Sequence, residues 1–196
     1  MKFINYAHRG ASEYAPENTL SAYEESYKHG FKYVECDVQF TKDGIPVLLH
    51  DDTIDRTSNG SGALSSFTYE QLLQYDFSYD DNDTVNDFSA YRGEKIPTFA
   101  EFIALCKELE LHPYIEIKGS ISVEEAELLV NIVSDAGMLD SVSWLSFSGE
   151  ALAKIRNGSA ALTTLGGIGE ALGGYKGYGF AMVVEFLSAV LQDGWY

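Results

Sequence analysis

Positive charge is scarce in this 196-residue chain. Its 13 lysines and arginines stand against 30 aspartates and glutamates, which gives a formal net charge of -17 at pH 7. A surface of this sign repels a phosphate backbone, and no cluster of lysines or arginines occurs that would overcome the repulsion locally. We therefore expect no nucleic-acid partner.

Long apolar runs are missing too, and cysteine is rare. No apolar stretch approaches the roughly 18 residues of a membrane span, so no transmembrane segment is expected. Residues 1–6 lead directly to His8 without the apolar core of a signal peptide, which favours a cytoplasmic location. The two cysteines, Cys36 and Cys106, lack the spacing of a metal-binding motif, and this pattern is typical of buried free thiols.

Apolar segments recur along the chain in an order typical of strand–helix repeats. The sequence predicts strands over residues 3–7, 32–38, 45–49, 113–118, 143–147, 160–165 and 180–184. It predicts helices over residues 16–29, 123–136, 150–156 and 186–192, and one that begins at Thr98 with Glu101 completing a capping box. This alternation predicts an α/β protein with a parallel sheet or barrel and helices outside it.

The segment from about residue 51 to 95 differs in composition from the rest of the chain. It is rich in Ser, Asp, Asn, Gly and Tyr, and it offers one short helix, near residues 68–75. We expect a mostly exposed insertion after the third strand, too polar to form a second core. With this insertion, residues 1–196 are expected to form a single domain.

Acidic side chains occupy the interiors of two predicted strands. Because alternate side chains of a strand face opposite sides, Glu35 and Asp37 share one face and Cys36 lies on the other. By the same parity, Glu116 and Lys118 share a face of a later strand. All four lie near the carboxyl ends of their strands, where barrels and doubly wound sheets build active sites.

Three carboxylates that converge on one point repel each other unless a cation or a proton lies between them. Ligation by oxygen alone suits a hard ion such as Mg²⁺ or Ca²⁺. His8 and His50 also stand at predicted strand ends, and Arg9 and Lys118 add positive charge. This set of carboxylates, histidines and cationic side chains suits an anionic, oxygen-rich substrate such as a phosphodiester, with the histidines as acid and base.

Simpler interpretations apply to each residue taken alone. A single Glu-x-Asp pair usually marks the exposed face of a strand, and a His-Asp pair often does no more than form a turn. The joint occurrence at strand ends argues against coincidence. His29 and His112 precede Gly30 and Pro113, so capping or surface positions are expected for both.

A series of motifs, dense over residues 3–118 and sparse afterwards, carries a family resemblance. The motifs are Ala7-His8-Arg9-Gly10, Pro16-Glu17-Asn18-Thr19, Glu35-Cys36-Asp37-Val38, Leu49-His50-Asp51, Asp55-Arg56-Thr57, Ile96-Pro97-Thr98-Phe99 and Ile115-Glu116-Ile117-Lys118. In this series the chain resembles the glycerophosphodiester phosphodiesterases, which are metal-dependent TIM-type (β/α)₈ barrels.

The resemblance implies roles for seven side chains. Glu35, Asp37 and Glu116 would hold one divalent cation, Mg²⁺ or Ca²⁺; His8 and His50 would be the acid/base pair; Arg9 and Lys118 would grip the phosphate. It also implies a small-molecule glycerophosphodiester as substrate, hydrolysed to glycerol phosphate and an alcohol. A neighbouring substrate hydroxyl would first form a cyclic phosphate, which water then opens.

The chain departs from the family pattern near its end. A complete barrel typically needs about 250 residues, and only seven strands are counted here before Tyr196. We therefore expect a barrel without its final strand and helix, with an exposed sheet edge that invites homo-oligomers. Two alternative functions follow: a truncated, inactive metal-binding relative, or a phospholipase acting on lipid, with exposed apolar residues on the loop around residues 75–79.

Overall fold

A computed structural model describes residues 5–79 and 88–158, which form a sheet of five strands with helices packed on it. The strands are β1 (Tyr6–Ala7), β2 (Tyr33–Phe40), β3 (Pro46–Leu48), β4 (His112–Ile117) and β5 (Ser143–Leu145). The helices are α1 (Leu20–Lys28), α2 (Tyr69–Leu72), α3 (Phe99–Glu108), α4 (Val123–Asp135) and α5 (Gly149–Gly158). The strands expected over residues 160–165 and 180–184 and the helix over 186–192 lie outside the described residues.

Four strands are parallel and lie in the order β1, β2, β4, β5. α1 links β1 to β2, α3 precedes β4, and α4 links β4 to β5, so each step along the sheet carries a helix. This is the repeat of a (β/α)₈ barrel, and it confirms the predicted parallel α/β architecture. The capping box of Thr98 and Glu101 at the start of α3 is confirmed as well.

The strand β3 is not a barrel strand. It runs antiparallel to β2, with Val38 opposite Leu48 and Phe40 opposite Pro46. The connection between the two strands is too short for the crossover that a parallel pair needs, and Gly44 takes the left-handed backbone of a tight turn (φ 76°). The count of seven barrel strands was therefore wrong in including this one.

The main core lies between the outer face of the sheet and the helices. It includes the side chains of β2 and β4 that alternate with the acidic ones: Val34, Cys36, Val38, Ile115 and Ile117. Phe102 and Cys106 of α3 and Leu129 of α4 pack against them. Both cysteines are free and buried, as predicted, and burial raises the pKa of each thiol.

The polar segment contributes to a small core of its own, which we call the insertion cluster. Its buried members are Val47, Leu49, Ile54, Leu64, Leu72, Phe77 and Ile96. The expectation of no second core was thus wrong. The apolar residues are sparse in the sequence, but the hairpin and short turns collect them on one side of β3.

No helix in the described ranges has the length and apolar character that crossing a membrane requires.

Candidate active site

Three carboxylates converge on the inner face of the sheet. Glu35 and Asp37 lie on β2, Glu116 lies on β4, and the register sets Asp37 beside Glu116. None of the three is more than 2% exposed, and each offers an oxygen within 4.8 Å of the others. The structure thus brings together the trio that strand parity predicted.

The trio is electrostatically unfavourable by itself. Burial, reinforced by the negative charge of Asp37 and then of Glu116, raises the pKa of Glu35 well above its usual value. Among residues 5–79 and 88–158, no group donates a hydrogen bond to Glu35 Oε1. A buried oxygen without a donor, beside two further carboxylates, fits the all-oxygen ligation of Mg²⁺ or Ca²⁺.

Two cationic side chains border the trio. Lys118 Nζ lies 3.0 Å from Glu116 Oε1 and 3.4 Å from Asp37 Oδ1, and Arg9 Nε lies 3.4 Å from Asp37 Oδ2. Burial works against the charge of Lys118, but the neighbouring carboxylates raise its pKa overall. The pKa of Arg9 is raised as well, so both side chains are charged at neutral pH and offset part of the negative charge of the trio.

The turn after β1 positions His8 and Arg9. His8 is buried, with Nε2 3.7 Å from Glu35 Oε2. Arg9 has a left-handed backbone (φ 55°), which directs its N–H to Glu35 Oε2 at 2.9 Å. Gly10 follows, also left-handed, and a Cβ on it would lie 2.6 Å from the Cβ of Ala22 in α1. The glycine is therefore needed for this turn to lie so close to α1.

His50 follows the hairpin strand β3 and not a strand of the parallel sheet as expected. β3 folds back along β2, and the Leu49 N–H donates to the Asp37 carbonyl oxygen at 3.1 Å, so the chain returns to the level of the trio. Gln39 Nε2 lies 2.7 to 3.2 Å from the carbonyl oxygens of residues 49, 50 and 51 and fixes this turn. Hairpin geometry, and not the carboxyl edge of a barrel strand, places His50.

For Asn18 the sequence left two roles open, ordering the loop after the first strand or contacting substrate, and the contacts of three polar residues at the site were not predicted. They are Asn18, Asp51 and Arg56. Asp51 Oδ1 lies 2.7 Å from His50 Nδ1, and Arg56 contacts Asp51. Asp51 directly follows His50, and Arg56 lies five residues after Asp51, but the Glu17 partner of Arg56 and the Asp37 partner of Asn18 come from distant parts of the chain. By contrast, His29 at the end of α1 and His112 on the surface lie where they were expected.

Asn18 is a buried link between α1 and the trio. Its Nδ2 donates to Asp37 Oδ2 at 2.9 Å, and its Oδ1 accepts from the Asp37 N–H at 3.2 Å. The Tyr23 hydroxyl lies 3.0 Å from the same Oδ1. The backbone is left-handed (φ 55°), which asparagine tolerates better than most residues, and this tolerance is the one local signal that could have marked the position.

We expect Asn18→Ala to lower the free energy of unfolding by about 2 to 4 kcal/mol, because the buried Asp37 N–H loses its acceptor and the buried Asp37 Oδ2 loses a donor. Asn18→Gly removes the same amide, but glycine adopts the left-handed backbone without strain. The decrease in the free energy of unfolding should therefore be smaller than for Asn18→Ala by roughly 1 kcal/mol. Urea unfolding of both variants measures the two contributions. A glycine variant as stable as the parent would show that the amide contributes nothing.

A parallel βα sheet with buried carboxylates and cations on its inner face defines a barrel of the TIM class with an acidic centre. Solved structures agree. A glycerophosphodiester phosphodiesterase from Agrobacterium tumefaciens superposes with a TM-score of 0.68 at 27% identity, covering 78% of this chain and 61% of that one. A phosphodiesterase from Oleispira antarctica, in complex with the product sn-glycerol-3-phosphate, gives 0.64 at 28% identity, covering 78% and 60%. The predicted barrel class is confirmed.

Sequence comparison supplies the particular family. Residues 8–167 match the glycerophosphoryl diester phosphodiesterase family, and the chain belongs to it. Glycerophosphodiester phosphodiesterase 1 of mouse is 39% identical over 153 residues, and the glycerophosphodiester phosphodiesterase of Caldanaerobacter subterraneus is 34% identical over 158. These matches cover 76% and 80% of this chain but 44% and 63% of the relatives, so the chain spans less than two thirds of either.

Proposed function

We propose that the protein hydrolyses glycerophosphodiesters to glycerol phosphate and an alcohol, with one divalent cation, Mg²⁺ or Ca²⁺. The observation that carries the proposal is the trio of buried carboxylates with oxygens within 4.8 Å, bordered by Arg9 and Lys118. The names of the relatives support the same reaction.

Glu35, Asp37 and Glu116 hold the cation in this proposal. When bound, the ion supplies positive charge to the phosphoryl oxygens of the substrate. Arg9 and Lys118 add two fixed charges from the protein, which orient the phosphate and stabilise the charge that develops on it. Because the trio is almost completely buried, water screens these interactions little.

The histidines move the protons. His50 Nδ1 lies 2.7 Å from Asp51 Oδ1, so Nε2 is the ring nitrogen left for proton exchange. One histidine takes the proton of a substrate hydroxyl as its oxygen attacks phosphorus, and the other gives a proton to the departing alcohol. In the second step a water attacks the cyclic phosphate, and the two histidines exchange roles. His8 and His50 are proposed as this pair.

The loop over residues 75–79 supports a soluble substrate over a lipid. A phospholipase would present apolar side chains here, but Phe77 is buried in the insertion cluster and Tyr75 packs against it. The Tyr79 ring is covered by the guanidinium of Arg92, 4.1 Å from the ring centre. Little apolar surface is left on this loop for a membrane.

Hydrolysis of glycerophosphocholine, measured with and without a chelator, tests the proposal. We expect release of glycerol phosphate in Mg²⁺ or Ca²⁺, loss of turnover in the chelator, and recovery when excess cation is added. Cation binding by calorimetry without product release would favour the inactive metal-binding relative instead. Faster turnover of phospholipid vesicles than of soluble diester would favour the phospholipase.

A further inference from the structure

Arg56 lies between two carboxylates and engages all three nitrogens of its guanidinium. Nη1 and Nη2 donate to Glu17 Oε2 and Oε1 at 2.9 and 2.7 Å. Nε and Nη2 donate to Asp51 Oδ2 and Oδ1 at 2.8 and 3.0 Å. Two bidentate pairs on one side chain fix its plane and both carboxylates, as the planar fork of arginine allows.

Each of the two carboxylates contacts a proposed functional residue on its far side. Asp51 Oδ1 lies 2.7 Å from His50 Nδ1, and Glu17 Oε1 lies 3.3 Å from Arg9 Nη1. A continuous series of charge-assisted contacts therefore joins His50, Asp51, Arg56, Glu17 and Arg9. It connects one proposed proton-transfer residue to one proposed phosphate-binding residue.

The three central side chains of the series are partly shielded from solvent. The side chains of Glu17, Arg56 and Asp51 are 15%, 24% and 28% exposed. The hydrogen bonds from Arg56 are the main cause that lowers the pKa of Asp51 to about 2. Asp51 is therefore an ionised acceptor at neutral pH, and the proton between it and His50 belongs to Nδ1 of the ring.

We infer that Arg56 is a positioning residue, which sets the ring orientation and tautomer of His50 through Asp51 and the orientation of Arg9 through Glu17. Without the guanidinium, Asp51 loses both of its donors on that side and is free to rotate away from Nδ1. His50 then no longer presents Nε2 in one fixed direction. The catalytic part of this inference rests on the proposed function, whereas the tautomer of His50 does not.

Through Arg56 the insertion takes part in the proposed active site. Arg56 belongs to the segment after β3 that the sequence set apart by its polar composition, and Ile54 of the insertion cluster lies two residues before it. Packing of that small cluster thus holds the chain from which the guanidinium extends. Glu17, on the loop before α1, connects Arg56 of the insertion to Arg9, which follows β1.

The test compares Arg56→Met and Arg56→Lys with the matched variants Arg92→Met and Arg92→Lys. Arg92 lies in the same segment, and its Nη1 is 3.4 and 3.2 Å from the Ser78 carbonyl and hydroxyl oxygens. Turnover of glycerophosphocholine gives kcat and KM, and ¹⁵N NMR of the His50 ring gives its tautomer. Thermal unfolding shows whether each variant is folded.

We expect Arg56→Met to lower kcat by about 10- to 100-fold, the range typical of residues that orient a ligand or base. His50 should change from the Nδ1-protonated form to a mixture of tautomers. Arg56→Lys keeps the charge but not the fork, so it should restore part of the kcat and leave the tautomer mixed. Both Arg92 variants should match the parent in kcat and in the His50 signals.

Two results would overturn the inference. One is an unchanged His50 tautomer in a folded Arg56 variant; the other is a kcat within about twofold of the parent in an active protein. If Arg56→Met does not fold, Arg56→Lys provides the same readouts. If the parent shows no turnover, the proposed function fails by that result, and the His50 signals still decide whether Arg56 positions the ring.

Discussion

His50→Ala is expected to lower kcat by about 100- to 10,000-fold, the contribution typical of a positioned acid or base. The side chain is 30% exposed and belongs to neither core, so the variant should unfold at nearly the same temperature as the parent. Steady-state hydrolysis of glycerophosphocholine and a thermal melt on the same preparation measure the two quantities. A large loss of turnover without a loss of fold is the expected signature of a proton-transfer group.

His112→Ala is the matched control. His112 is exposed at the amino end of β4, whereas Glu116 lies near the carboxyl end of the same strand. Removal of the His112 side chain should therefore leave kcat unchanged. Full turnover in folded His50→Ala would exclude His50 from proton transfer. Equal losses in the two variants would point to a general effect of histidine removal and not to this site.

Glu35→Gln is expected to have effects of opposite sign on activity and on stability. The amide keeps the shape of the side chain and can still accept the Arg9 N–H, but it removes one charge from the trio. Cation affinity should fall by at least about 100-fold, because even residues that merely orient ligands typically cost 10- to 100-fold. Turnover should fall below detection. In a chelator, however, the variant should melt at a higher temperature than the parent, since the repulsion of Glu35 by Asp37 and Glu116 is gone.

Thermal melts in chelator and in Mg²⁺, together with calorimetry, measure these effects. Glu94→Gln is the control, because Glu94 is a half-buried glutamate that accepts a hydrogen bond from Ser21 Oγ at 3.0 Å and is not part of the trio. It should respond to cations as the parent does. A Glu35→Gln protein that Mg²⁺ stabilises as strongly as it does the parent would place the cation elsewhere.

The acidic centre was predictable because it depends on local rules. Strand parity alone separates Glu35 and Asp37 from Cys36, and the parallel register then sets Asp37 beside Glu116. The starts of α3 and α4 are equally local, since Thr98 and Ser122 each form a capping box with a glutamate three residues on. At these positions a few adjacent residues decide the outcome and sequence and structure agree; the start of α1 is an exception, because the helix predicted from residue 16 begins at Leu20, after the N-cap Thr19.

What the sequence did not predict depends on contacts between distant segments. The role proposed for Arg56 depends on Glu17, 39 positions earlier, and the contacts of Asn18 depend on Asp37, 19 positions later. The insertion cluster likewise brings Val47 and Ile96 together across a long segment that is mostly polar in sequence. Neither periodicity nor composition records which of these partners meet, because only the folded backbone brings them together.

β3 is the boundary between the two cores. Leu48 faces the main core, whereas its neighbours Val47 and Leu49 face the insertion cluster. Proteins open locally in cooperative units, and a small core opens at a lower free energy than a large one. By this rule the carboxylates proposed as metal ligands belong to the unit expected to open last, and His50 directly follows the unit expected to open first. A transient opening of the insertion cluster would therefore withdraw the proposed base while the carboxylates stay in register, and would interrupt catalysis without global unfolding.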